Sequence, residues 1–298
     1  MHIDLKRIAV AYGGTEACRV ALERAVELAK STGAGLDLIS VGIPIVPLGG
    51  FGWVAPYEDT HHVDSLVRER VEEAASMVDP SVDTKTHACI GTPAPEIVAT
   101  ARSCGASLIV MGAVHHSQLE RLFIGSTANR VIRLSRIPCL IASSTTPARR
   151  ILAAADDSPF GESAIHAALS LAAATGAEVR CVHVAREPSD AAVKNLEEGL
   201  ESHASELGEH LAAFVKQARE RVADFMPDGM RPSEISISLR FGDVCEEILG
   251  EVRDYEADLL AVGTHGRGFV ARQFLGSISE QLLERSPVSV LVAPGPKD

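Results

Sequence analysis

Gly263, Gly266, Gly276 and Ser277 stand in the stretch GTHGRGFVARQFLGS, spaced as Gly-x-x-Gly, nine residues, Gly-Ser. The segment before it, ADLLAV (Ala257 to Val262), is apolar and reads as a buried strand. Glycine has no Cβ, so its backbone can approach a ligand closely. Gly276 and Ser277 open a helix whose first N–H groups lack internal partners and whose positive end favours phosphate. Ser277 adds a hydroxyl donor, and Ser279 a second. The chemistry this pattern serves is the gripping of a polyphosphate by backbone amides. Arg267 and Arg272 flank the loop, either to neutralise a triphosphate or simply to face water. No Lys-Ser/Thr follows the last glycine, so this is not the Walker loop, and it is not Gly-x-Gly-x-x-Gly.

Other chemistry-bearing residues form weaker patterns. His61-His62 and His115-His116 are adjacent pairs, and neighbours on an extended segment point to opposite faces. Neither is a good chelate, no cluster adds further ligands at a recognised spacing, and no metal site is expected. Asp156-Asp157 either holds Mg²⁺ through water beside phosphates or caps the helix that follows. There is no nucleophile elbow, kinase motif or H-E-x-x-H, so no catalytic residue is assigned. His265 is the one candidate to place a water, and phosphate binding is its simpler role.

Composition narrows the function. The chain has 298 residues, 46% hydrophobic and 23% charged, enough for two globular domains with real cores. Net charge is −12 and only 4% of residues are aromatic, which argues against nucleic-acid or acidic-membrane binding and against base-stacking platforms. No run approaches the roughly 18 apolar residues of a membrane span. The N-terminal MHIDLKRIAVAYGG shows no signal-peptide pattern, and the six scattered cysteines read as reduced, mostly buried apolar residues of a cytoplasmic protein.

The elements that position the loop occur twice. RIAVAYGGTEACRVALERAVELAKSTGAGLDLISV (Arg7 to Val41) falls without a gap on RILAAADDSPFGESAIHAALSLAAATGAEVRCVHV (Arg150 to Val184). GASLIVMGAVHH (Gly105 to His116) falls on EADLLAVGTHGR, GSTANRVI (Gly125 to Ile132) on GSISEQLL, and each half closes on a Pro-led apolar strand. The chain is therefore a tandem duplication, residues 1–146 and 147–298, joined through the polar SSTTPA at Ser143–Ala148. Within each half, apolar runs alternate with helix-spaced ones: Ala21, Ala25, Leu28 and Ala29 share one helical face, and Gly33 stops that helix. Longer charged helices are expected near Asp64–Val78 and Asp190–Phe225, the latter's charges forming a solvated face. The Pro- and Gly-rich segment around Trp53 reads as a loop. The fold class is α/β: two tandem Rossmann-like domains, each a five-stranded parallel sheet with helices on both faces. Ligands of such folds sit beyond the carboxyl ends of the strands, where strand order reverses.

Gly-x-x-Gly, nine residues, Gly-Ser, with the opening RILAAADDS and the closing Pro-led strand, resembles the universal stress protein family over nearly the whole chain, as two copies. The resemblance implies a five-stranded parallel sheet per domain, pairing of domains through their last strands, often a cytoplasmic location, and ATP or AMP binding in one branch only. It further implies that Asp156 serves the base and ribose end, that the Val184 backbone meets adenine, and that Val262, Gly263, His265, Gly266, Gly276, Ser277 and Ser279 form the phosphate region. The first half departs: Gly13 stands for Asp156 and His115 for Gly266, while Gly112, Gly125 and Ser126 remain. It is read as degenerate for ATP. The expected function is a nucleotide-dependent regulatory module of the stress response that binds ATP (or AMP/ADP) with Mg²⁺ in its C-terminal domain, as a homodimer with a protein partner of unknown identity. The alternatives are a slow ATPase or phosphotransferase using the same loop, and a scaffold that binds no nucleotide.

Overall fold

The computed structural model of the protein describes residues 5–44, 58–116, 121–156, 158–185, 235–265 and 275–295, with isolated helical positions between 209 and 220; the side chains of 58–62, 114–116 and 121–123 are outside that description. The chain divides into two compact units, one built from Leu5–Val114 and Phe123–Thr145, the other chiefly from Thr146–Asp298.

In the first sequence repeat the order is β1 (Arg7–Ala11), α1 (Glu16–Thr32), β2 (Gly35–Gly42), α2 (Glu58–Ser76), β3 (Thr84–Ile90), α3 (Pro93–Ser103), β4 (Leu108–Gly112), β5 (Val114–His116), β6 (Arg121–Phe123), α4 (Ser126–Leu134) and β7 (Cys139–Ala142). The main sheet is parallel: β1 pairs with β2 and β4, β2 with β3, and β4 with β7. The resulting order is β7-β4-β1-β2-β3. The second unit repeats it with β8 (Arg150–Ala154), α5 (Pro159–Thr175), β9 (Glu178–Ala185), β10 (Ile235–Phe241), α6 (Val244–Asp254), β11 (Leu259–Gly263), α7 (Ser277–Arg285) and β12 (Ser289–Ala293), ordered β10-β9-β8-β11-β12. Connections that leave the two central strands run in opposite directions across the sheet. Right-handed crossovers then put α1 and α2 on one face and α3 and α4 on the other, with the corresponding arrangement in the second unit. The expected helix near Asp64–Val78 starts six residues earlier, at Glu58. The expected helix over 190–225 and the loop around Trp53 lie, for the most part, outside the described residues. Among the described residues no helix is long and apolar enough to cross a membrane.

Both sheets bury apolar strands on both sides, as parallel strands covered by helices must. Ile8, Ala9 and Val10 are fully buried, and so are Ile151, Leu152 and Ala153. Small residues bring the helices close: Ala21, Ala25, Leu28 and Ala29 of α1 face the core. Helix α1 stops at Gly33, which takes φ 74°, and α5 at Gly176, φ 75°. Each donates its N–H to a carbonyl four residues back, a left-handed cap that only glycine adopts cheaply. Thr15 and Ser158 accept from backbone N–H groups at the opposite ends of these two helices.

Close approach is tightest where β4 ends. A Cβ on Gly112 would overlap the backbone carbonyl of Ala17 in the first turn of α1. Backbone cannot yield as a flexible side chain can. Gly112→Ala is therefore expected to destabilise the first unit by about 1–3 kcal/mol, read as a lower urea midpoint with an unchanged denaturant slope. A neutral substitution would contradict the packing described.

Candidate functional site

The second unit's switch point lies between β8 and β11, neighbours in register (Leu259 with Ile151, Ala261 with Ala153) whose outgoing connections diverge. Three chain segments meet there: the turn leaving β8, the end of β11, and the first turn of α7.

Gly263, the last residue of β11, sets the spacing. A Cβ there would stand 2.6 Å from the carbonyl oxygen of Phe160, in the first turn of α5. The glycine is thus required by strand–helix contact. Neither Gly263 nor Gly276 has positive φ, so at Gly263 it is the missing Cβ and not a left-handed backbone that the packing uses. Val262 before it is buried in β11, paired in register with Val292. After Gly263 the chain continues through Thr264, whose N–H donates to Ala293 O at 3.0 Å, while Thr264 O accepts from Gly276 N at 2.8 Å. This last bond closes the loop, bringing Gly276 back beside the strand end it left. His265 sits half-buried in that mouth: its Nδ1 lies 3.1 Å from Thr264 Oγ1, and its ring lies 4.9 Å from that of Phe160 at 52°.

Gly276 caps α7 in an extended conformation (φ −63°, ψ 144°) without any side-chain capping bond. The first ladder bond is Glu280 N to Gly276 O at 2.9 Å. The amides of Ser277, Ile278 and Ser279 therefore precede it, and among the described residues no side chain caps this helix start. Ser277 is exposed at this end. Ser279 is buried and donates its hydroxyl hydrogen to Gly263 O at 2.7 Å. Its proton braces the helix start against the strand end, a use different from the outward donor read in the sequence.

The turn after β8 is built around Asp156. Its Oδ1 accepts from Ser158 N at 3.2 Å and from the Ser158 hydroxyl. The helix cap is Ser158, which accepts from Gly161 N at 3.2 Å, so Asp156 is freed from the capping role that was one of its two expected uses. A Cβ on Gly161 would overlap Asp156 O and stand 2.6 Å from Oδ1 and 2.7 Å from N. Asp156 can fold over the helix start only because residue 161 is glycine. Val184, half-buried, lies near the end of β9 in register with Arg240. Beside it is a residue the sequence reading missed: buried His183, whose Nδ1–H donates to Ala155 O at 2.9 Å and holds the end of β8. The signal was available, because both repeats carry a polar residue here within an apolar strand, His183 and Ser40. Gly266, Asp157, Arg267 and Arg272 lie outside the described residues, as do the side chains of both histidine pairs.

The first unit answers each feature differently. Gly13 replaces Asp156 and Cys18 replaces Gly161; the Cys18 sulfur accepts from Gly13 N at 3.3 Å and from the Thr15 hydroxyl at 3.2 Å. Ala128 replaces Ser279, so that brace has no counterpart. Gly125 keeps the uncapped extended start of α4, but a Cβ on it would meet nothing within 4 Å, whereas one on Gly276 would lie 3.3 Å from His265 Cα. In the first repeat β5 and β6 pair as a small separate two-stranded sheet, which the sequence reading did not foresee. Among the cysteines only Cys139, Cys181 and Cys245 are buried, fewer than expected; burial pushes the first two thiols up to about 12.

Comparison with known proteins fits this geometry. The model of the Universal stress protein family matches residues 4–143 and again 147–294. Universal stress protein Mb2346c of Mycobacterium bovis is 28% identical over 195 residues, which is 64% of this chain and 65% of that protein's own length. Universal stress protein YxiE of Bacillus subtilis is 31% identical over 143 residues, 45% of this chain and 97% of that protein. A universal stress protein from Archaeoglobus fulgidus superposes with a TM-score of 0.70 over 98% of this chain and 99% of its own, at 20% identity, a likeness of fold alone.

Because Ala ordinarily gains roughly 0.5–1 kcal/mol over Gly inside a helix, Gly161→Ala tests the turn by its sign. We expect a loss of stability instead of a gain, measured by thermal unfolding; a stabilised variant would contradict the Asp156–Gly161 contact.

Proposed function

The chain belongs to the universal stress protein family, and from that premise we propose that its second domain binds ATP (or AMP/ADP) and works as a nucleotide-dependent regulatory module. One observation carries this reading: the first-turn amides of α7, at Ser277 and Ile278, precede the first ladder bond and, among the described residues, no side chain caps that helix start, which lies at the switch point between β8 and β11. That is where a phosphate tail finds converging N–H donors and the positive end of a helix. The fit is supported by Gly276 itself, since a side chain there would fill the narrow mouth against His265 and Thr264.

In this reading the Ser277 and Ile278 amides and the Ser277 hydroxyl hold the terminal phosphates, Gly276 leaves room for them, and His265 and Gly266 belong to the same phosphate region. Val262 and Gly263 shape the floor. Ser279 positions the helix start through its bond to Gly263 O. Asp156, which does not cap its helix, addresses the ribose and base end, and the Val184 backbone meets the adenine edge. Asp156 would hold Mg²⁺ through water, the usual way that ion is held beside phosphates, and the ion would supply neutralising charge there. The first domain, with Gly13 for Asp156, acts as the structural or regulatory partner. Two copies of the chain form a homodimer, and nucleotide occupancy sets which protein partner binds. Six cysteines free of disulfides fit a cytoplasmic setting.

Heating purified protein and separating the released small molecules by chromatography is expected to yield adenine nucleotide. In equilibrium titration with Mg·ATP, Gly276→Val should bind at least about tenfold more weakly, a loss of about 1.4 kcal/mol. Full affinity in that variant would overturn the site. Timed phosphate release that is faster than background and lost in Gly276→Val would favour the slow ATPase over the binding module.

A further inference from the structure

A second cluster lies in the first unit, away from the carboxyl ends of its strands. Asp37 on β2 is 1% exposed, His87 sits on β3, and Cys104 caps the C-terminus of α3. His87 Nε2 lies 2.7 Å from Asp37 Oδ1 and 3.5 Å from Cys104 Sγ. One oxygen, one nitrogen and one sulfur, all within 4.8 Å of one another, converge from three elements. The other oxygen of Asp37 accepts from Arg7 Nε at 2.7 Å, and Arg7 is in turn paired with Asp83.

We propose that Asp37, His87 and Cys104 form a zinc-binding site in the first domain, with the fourth position of the tetrahedron left to water. Three arguments support it. The first is donor type: a borderline ion that takes imidazole nitrogen, thiolate sulfur and carboxylate oxygen together is Zn²⁺, whereas Mg²⁺ and Ca²⁺ demand oxygen alone. The second is size. Ordinary zinc bond lengths imply tetrahedral edges of about 3.3 Å between nitrogen and oxygen and about 3.6 Å between nitrogen and sulfur. The His87–Cys104 separation of 3.5 Å already matches, the His87–Asp37 separation of 2.7 Å must spread, and all three atoms lie within 4.8 Å of one another. The third is charge. Arg7 is shared between Asp37 and Asp83, so with the Cys104 thiolate the cluster keeps an excess of negative charge that an ion of charge +2 would meet. The C-terminal end of α3, where Cys104 sits, presents a negative dipole that also favours a cation.

Arg7 holds the far oxygen of Asp37 and fixes the carboxylate for one-oxygen ligation, the supporting role that outer partners play around metal ligands. His87 is 27% exposed in its side chain, so an ion and its water have a path in. Without metal, burial first and then the Asp37 charge hold the Cys104 thiol above its ordinary range. Zinc binding therefore breaks the S–H bond and forms the S–Zn bond, while the Nε2 proton that His87 donates to Asp37 is exchanged through solvent for one on Nδ1, freeing Nε2 as the ligand; one proton is released to solvent in all.

The second domain cannot do this. Arg180, Ser238 and Tyr255 stand at the corresponding positions. There Arg180 and Arg240 pair with buried Glu251, Ser238 donates to the same carboxylate, and Arg180 lies 4.1 Å from the Tyr255 ring centre. A closed ion network occupies the place where the first domain gathers ligands.

The test is metal-stripped full-length protein titrated with Zn²⁺ against a chromophoric chelator, and with Co²⁺ as a spectroscopic probe. The wild type should bind Zn²⁺ with a Cys104-dependent site and show the near-ultraviolet band of a cobalt–thiolate bond. Cys104→Ser should abolish the band, and both Cys104→Ser and His87→Gln should weaken zinc binding by more than the roughly 10–100-fold that loss of a mere supporting partner costs. Zinc should raise the Tm of the wild type and not of Cys104→Ser, whose metal-free Tm should match the wild type. The proposal is overturned if no thiolate band forms, or if zinc binding survives both variants and is lost instead in His61→Ala/His62→Ala.

Discussion

A Cβ on Gly263 would stand 2.6 Å from the carbonyl oxygen of Phe160, and most of the second unit's site follows from that constraint. The strand end can press onto the first turn of α5 only as glycine. This contact brings the Asp156 turn, the β11 end and the α7 start to one point. Ser279 then ties α7 to the carbonyl of that glycine, and Gly276 N ties the returning loop to Thr264 O. The first unit has the same contact between Gly112 and Ala17. The frame is therefore common to both repeats, and it accounts for a glycine in each whether or not a ligand is bound.

Differences between the repeats are confined to what is mounted on that frame. Where the second unit has Asp156 over Gly161, the first has Gly13 beside Cys18; where the second has Ser279, the first has Ala128. Each exchange is sterically matched. An acid at the turn needs a glycine in the helix, whereas a glycine at the turn leaves room for a sulfur. At this site the divergence lies at the ends of strands and helices; within the strands it is limited to polar positions such as Asp37 against Arg180 and Ser40 against His183, while the apolar core is kept.

The repeat, the five parallel strands of each half and the glycine caps could be read from the sequence, because each rests on local signals: two apolar runs in the same order, Ala and Leu at helical spacing, and Gly33 and Gly176 at helix ends. The phosphate-type loop was also visible as a spacing. What the sequence did not reveal depends on contacts across elements. Gly161 looks like an ordinary helix residue until Asp156 is folded over it. Ser279 looks like an outward donor until Gly263 O is found beneath it. His183 is one polar residue in an apolar strand. Asp37, His87 and Cys104 are far apart in the chain, with no chelate spacing, and they meet only because β2, β3 and the end of α3 are neighbours. Pairing of β5 with β6 likewise has no strong local signature.

The claim on which the functional account turns is that the start of α7, and not the equivalent start of α4, receives phosphate. Backbone amide resonances report this directly. On adding Mg·ATP to isotopically labelled protein, the Ser277 and Ile278 amides should shift in a saturable manner while those of Ser126 and Thr127 stay fixed. If the α7 amides do not move, or if the α4 amides move in their place, the account is contradicted.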